Sequence, residues 1–124
     1  MITHHIIDTK HYAYIEIMGA PKVDEYIKAA TIFAQDPNYA AELDRICDFS
    51  QANLSTITLH DINEFANFVI ENIPLGQHTK VALVAPDDES RRGIFEAFMK
   101  RMGTGRFKLF TGPNDAATWV HDHE

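Results

Sequence analysis

The stretch that decides the fold is RICDFSQANLSTITLHD, residues 45–61. It begins with an apolar segment around Ile46 and Cys47 that is typical of a buried strand, and from Leu59 apolar residues recur at helical spacing. The polar run between the two predicts a turn followed by a helix cap. A strand that leads directly into a helix is the repeating unit of an α/β protein.

Strand and helix patterns continue on both sides of this stretch. Towards the N-terminus, Ile2–Ile7 and a second alternating segment around Ala13, Ile15 and Ile17 predict an antiparallel hairpin whose first strand lies at a sheet edge. A helix with apolar residues from Val23 to Ala34 follows, and Leu43–Phe49 is the next predicted strand. Gly19-Ala20-Pro21 separates the hairpin from this helix.

Towards the C-terminus, a helix is predicted from Leu59 to Ile73, and the apolar run VALVAP predicts a central strand covered on both faces. The third helix follows DDES, the strand RFKLF comes next, and GPNDAATWVHDHE predicts a final short helix. The predicted order is ββαβαβαβα. It predicts an α/β fold with a mixed, mostly parallel sheet and packed helices in a single domain over residues 1–124.

Composition excludes several classes of protein. The 124 residues carry a formal net charge of −7, which argues against general binding of nucleic acid. No apolar run approaches the length of a membrane span, and a single cysteine suits a reducing compartment, so we expect a cytoplasmic protein. Residues 91–108 hold six basic residues and one acidic residue, which is either a solvated surface or a docking patch for an acidic partner or lipid headgroup.

Polar side chains collect where the predicted parallel strands end. The carboxyl ends of such strands lie at one edge of the sheet, and ligands usually bind there. We therefore expect a candidate partner-binding or phosphorylation edge formed by Asp48, Ser50, Ser55, Thr58, Asp87 and Ser90.

Two interpretations of Thr58 are open. It precedes Asp61 by three residues, which is close to a capping box, and loss of a cap affects only stability. Alternatively, a phosphate on Ser55 or Thr58 would add negative charge at a helix N-terminus and change a partner surface. For Asp48 we expect a local hydrogen-bond acceptor and no acid–base role.

Apolar side chains of the second and third helices raise the question of an internal pocket. Such side chains either line a small cavity or fill it, and because interiors are normally close-packed we expect them to fill it. The candidate pocket residues are Phe65, Val69, Phe95, Phe98 and Met99.

Motifs for catalysis or metal binding are lacking. Cys47 is expected to be an inert packed thiol, and the histidine pairs His4-His5 and His121-x-His123 are expected to be solvent-exposed. We therefore expect no enzyme activity, no metal and no cofactor.

Three segments together resemble the SpoIIAA-like (STAS/Sec14-like) family of small bacterial proteins: ICDFS, KVALVAPDD and FKLFTGPNDAATWV. The resemblance implies a mixed sheet with packed helices and no catalytic activity. On the STAS side it implies a partner-binding module that is switched by phosphorylation of a hydroxyl at the start of a helix. DFS at 48–50 is similar to the strand end that precedes this helix in the family, and only Thr58 could correspond to the phosphorylated hydroxyl. On the Sec14 side it implies an apolar pocket for a lipid-like ligand.

The expected function is therefore a non-enzymatic, STAS-like module that binds an unknown protein partner. The alternative is a carrier or sensor of a small apolar or lipid-like ligand. The oligomeric state is left open, and pairing of an N-terminal edge strand with its copy would give a homodimer.

Overall fold

The computed structural model describes residues 1–7, 11–85, 89–103 and 105–122, with the backbone alone at 89–91. The predicted order of strands and helices is confirmed. The elements are β1 (Ile2–Ile7), β2 (Tyr12–Gly19), α1 (Val23–Ala34), β3 (Asp44–Ala52), α2 (Leu59–Asn72), β4 (Val81–Val84), α3 (Glu89–Met102), β5 (Phe107–Phe110) and α4 (Pro113–His121).

The five strands form one mixed sheet in the order β1-β2-β3-β4-β5. The hairpin partners β1 and β2 are antiparallel, whereas β2 to β5 run parallel to one another, and β1 lies at an edge as predicted. Each of the three crossover connections places the next strand beside the previous one, on the side away from β1. Because crossovers share one hand, the three crossover helices α1, α2 and α3 pack on the same face of the sheet.

Each face of the sheet has its own core, and β4 contributes to both. Val81 and Leu83 belong to the core under the crossover helices, whereas Ala82 and Val84 face α4 and pack with Ala116 and Val120. This alternation is the two-residue period of a strand covered on both faces, as the VALV run predicts. All four β4 residues are buried.

The structure corrects the length of the third strand. Residues 50–52 continue β3 beyond the predicted end at Phe49, because β2 extends far enough to pair with Gln51 and Ala52. A register shift between Glu16 and Met18 marks a bulge at this point. Ser50 therefore lies in a strand, and the connection to α2 begins at Asn53.

A second correction concerns the start of α2. Leu59 is the first helical residue and was expected on the buried stripe, but 65% of its surface is exposed. The buried residue within this helix is Ala66.

Candidate functional site

The structure brings Asp48 and Ser50 together at the carboxyl end of β3. The Asp48 carboxylate accepts hydrogen bonds from the Ser50 backbone N–H, at 2.9 Å, and from the Tyr14 hydroxyl. Burial raises the pKa of Asp48, but the hydrogen bonds from Ser50 and Tyr14 outweigh it and hold the pKa below its usual value. The expectation of a local hydrogen-bond acceptor is confirmed.

Thr58 is the N-cap of α2. Its Oγ1 accepts from the Asp61 N–H at 3.1 Å, and the Asp61 carboxylate accepts from the Thr58 N–H at 3.0 Å, which completes a capping box. The capping interpretation is confirmed. Whether the hydroxyl is also a phosphorylation site stays a prediction.

The other residues of the predicted edge are dispersed. Ser50 and Ser55 are exposed, and the Ser55 N–H is held by the side chain of Asn53 at 3.0 Å. Asp87 lies outside the described residues, as does the side chain of Ser90. Parallel pairing aligns Asp48 with Val84, the last residue of β4, so the ends of these two strands do share one edge.

A cavity of about 170 Å³ lies on the face of the sheet that carries Cys47 and Phe49, between the sheet and helices α1 and α2. Its wall is almost wholly apolar and includes three of the predicted pocket residues, Phe65, Val69 and Phe98. A second cavity of about 70 Å³ lies beside it and is lined by Phe65, Phe95 and Phe98. Met99 lines neither of them and packs against the core.

The expectation that side chains fill this space is not met. α1 presents Ala29 and Ala30 to the cavity, and these side chains are too short to reach across it. The bulky rings are held against one another instead: Phe65 and Phe98 are stacked with centroids 5.8 Å apart, and Tyr26 meets Phe65 edge-on at 5.9 Å. Small residues on one wall and mutually packed rings on another leave the volume open.

Arg45 is the functional candidate that the sequence interpretation missed. It lines the larger cavity, yet only 5% of its surface is exposed to solvent. One guanidinium nitrogen donates to the Tyr39 hydroxyl at 3.1 Å, whereas the buried Nε has no hydrogen-bond partner. Burial lowers the pKa of Arg45. The signal was present in the sequence, because Arg45 alternates with Cys47 and Phe49 and so shares their helix-covered face.

Tyr26 provides a second unpaired polar group. Its hydroxyl is buried without a hydrogen-bond partner, and Tyr26 lines both cavities. Burial raises its pKa to about 12, so the phenol is protonated at neutral pH.

The larger cavity approaches the surface beside the last turns of α1. Ile32 lines the cavity, and 49% of its surface is exposed. His4 also lines it, and its Nε2 lies 2.8 Å from the carboxylate of Asp36. A single layer of side chains therefore separates this end of the cavity from solvent.

Cys47 lines the same cavity. Burial raises the pKa of its thiol to about 12, which keeps it protonated at neutral pH and removes its nucleophilic form. Over residues 1–7, 11–85, 89–103 and 105–122, no three side chains of the metal-ligating types come together. None of the helices in the described part of the chain has both the length and the apolar character needed to cross a bilayer.

Comparison with family models, with curated proteins and with solved structures gives no match for this chain. The function therefore has to be argued from the site itself.

Proposed function

We propose that this protein binds a small apolar molecule in the cavity between the sheet and helices α1 and α2. It acts as a carrier or sensor of that molecule and catalyses no reaction on it. The observation that carries the proposal is the cavity of about 170 Å³, walled by aliphatic and aromatic side chains. Concave, mostly apolar cavities with a few polar groups are the usual form of small-molecule sites.

The volume limits the size of the ligand. An apolar cavity of about 150 Å³ in an otherwise close-packed protein stays dry and binds benzene. The cavity in this protein is slightly larger, so it suits one aromatic ring or a short acyl chain.

The proposal includes membership of the SpoIIAA-like (STAS/Sec14-like) family. Its support is the order of elements, the five-stranded mixed sheet, and the cavity where a Sec14-like ligand would lie. The cavity favours the lipid-carrier side of this resemblance over the phosphorylation-switch side.

The experiment is an NMR titration of the ¹⁵N-labelled protein with toluene. We expect saturable shifts at backbone amides around the cavity, including those of Val69 and Leu83. Ala30→Leu places three more carbons at the cavity wall and should abolish these shifts. Ala34→Leu is the matched control, because Ala34 lies on the same helix and does not line the larger cavity.

Native mass spectrometry of the freshly purified protein gives an independent measurement, and we expect an adduct of low mass. The proposal is contradicted if toluene causes no saturable shift, or if Ala30→Leu and Ala34→Leu bind it equally well.

A second candidate function is binding of a protein partner at the edge formed by Asp48, Ser50, Ser55 and Thr58. The observation that favours it is the exposure of all three hydroxyl-bearing residues, of which Ser50 adjoins the half-buried Asp48. Affinity capture with Thr58→Glu and with Thr58→Ala tests it. A partner bound by one variant and lost by the other supports this role, whereas identical capture by both counts against it.

A further inference from the structure

Arg45 is buried, and over the described residues its guanidinium forms no salt bridge. The negative charge of the neighbouring Asp44 acts on the guanidinium from beyond salt-bridge distance. The adjacent Asp44 lies on the other side of the strand, because successive side chains alternate, and it accepts a hydrogen bond from the Lys80 N–H at 2.8 Å. Buried charges in proteins are ordinarily paired, so this arrangement calls for a partner.

Aromatic contacts compensate the charge only in part. The guanidinium carbon lies 5.2 Å from the centroid of the Phe33 ring and 5.4 Å from that of Tyr39. These contacts attract a cation, but they supply neither a counter-charge nor an acceptor for Nε. Phe33 also lines the larger cavity, so the charged group lies at this end of it.

The unpaired polar groups in the wall of the cavity can both donate a hydrogen bond. The described chain has two buried side-chain polar atoms without a partner, Arg45 Nε and the Tyr26 hydroxyl, and both residues line the cavity. A guanidinium only donates, and a protonated phenol can donate. Unpaired donors favour a ligand that carries acceptor atoms.

We propose that the ligand is a small amphipathic carboxylate, whose head group pairs with Arg45 and whose aromatic or short acyl tail occupies the apolar part of the cavity. This inference rests on the proposed function, since it names the chemistry of the molecule held there. The planar guanidinium matches a carboxylate with parallel hydrogen bonds. Arg45 is already largely desolvated in the folded protein, so pairing with a ligand adds little further desolvation cost on the protein side.

The test compares three probes of similar length that differ in head group: hexanoate, hexanamide and hexylammonium. Binding is measured by NMR titration at neutral pH and low salt. We expect the wild-type protein to bind hexanoate at least tenfold more tightly than hexanamide, because a hydrogen bond between charged partners is stronger than one to a neutral group. Hexylammonium should not bind, since it brings a second positive charge to Arg45.

Variants of Arg45 test whether its charge causes the preference for hexanoate over hexanamide. Arg45→Met keeps an unbranched side chain without the charge, and it should bind hexanamide and lose the preference for hexanoate. Arg45→Lys retains the charge and should keep a reduced preference.

The outcomes separate this inference from the proposed function. If toluene causes no saturable shift in the wild-type protein, the proposed function fails and this inference fails with it. If hexanamide binds as tightly as hexanoate, or if Arg45→Met keeps the preference, the anionic head group is wrong while an apolar ligand stands. Should Arg45→Met fail to fold, the comparison of hexanoate with hexanamide on the wild type and on Arg45→Lys still decides.

Discussion

At the scale of single residues, the buried charge of Arg45 is expected to lower the stability of the ligand-free protein. An apolar side chain of similar length at this position avoids the cost of burying a charge that forms no salt bridge. We expect Arg45→Met to raise the free energy of unfolding by about 1–3 kcal/mol, measured by urea denaturation without ligand.

Lys100 provides the control for this measurement. It is exposed on α3, and Lys100→Met should change the free energy of unfolding by less than about 0.5 kcal/mol. A clear loss of stability in Arg45→Met would show that Arg45 is needed for the fold and would weaken the case for a ligand partner.

Asp48 gives a prediction about pH. Its pKa in the folded protein is below the unfolded value, so its ionised form stabilises the fold above pH ~4, and this contribution disappears as the pH falls through the folded pKa. We expect Asp48→Asn to lose about 1–2 kcal/mol at neutral pH and to match the wild type at strongly acidic pH. Urea denaturation of both proteins from strongly acidic to neutral pH measures this difference in the free energy of unfolding.

A Tyr14 variant tests whether the hydrogen bond from Tyr14 produces the stabilisation by ionised Asp48. Tyr14→Phe removes one of its hydrogen-bond donors. In a double-mutant cycle the two substitutions should couple by about 1 kcal/mol at neutral pH. Additive losses, or a difference that persists in acid, would contradict the assignment.

At the scale of elements, the capping box makes α2 sensitive to Thr58. Thr58→Ala removes the oxygen that accepts from the Asp61 N–H and should cost about 1 kcal/mol of unfolding free energy. Thr58→Ser keeps the oxygen and should cost much less. Ser55→Ala is the control, because its exposed side chain lies in the preceding turn and outside the capping box. Equal stability of the three variants would mean that the cap contributes nothing.

The elements themselves were predictable because their signals are local. The alternation in β2, the apolar VALV run of β4 and the cap at Thr58 each depend on neighbours in the sequence. The extension of β3 to Ala52 was not predictable in this way, because it depends on the bulge and on pairing with the end of β2. The exposure of Leu59 likewise depends on where α2 lies on the sheet, and helical spacing alone does not contain that information.

At the scale of the whole molecule, part of the pocket lining was predictable from the sequence, whereas the open volume was not. Phe65, Val69 and Phe98 were identified, but the volume depends on Ala29 and Ala30 of a different helix. Arg45 was missed for a related reason. Its burial becomes visible only when α1 and the Phe33 and Tyr39 rings are placed over β3.

The same arrangement explains how the protein combines a stable sheet with a binding site. The face of β4 that packs on α4 lies away from the cavity, whereas Val81 and Leu83 on the other face line it together with residues of β1 and α1. Ile32, which lines the cavity and is half-exposed, marks the side of the cavity that lies nearest to solvent.

The most direct test of the account is a crystal structure of the protein under xenon pressure, because xenon occupies apolar cavities of this size. The account predicts xenon density between α1, α2 and the sheet, in contact with Ala30, Val69 and Leu83. An interior in which side chains have closed this space, with no xenon bound there, would contradict it.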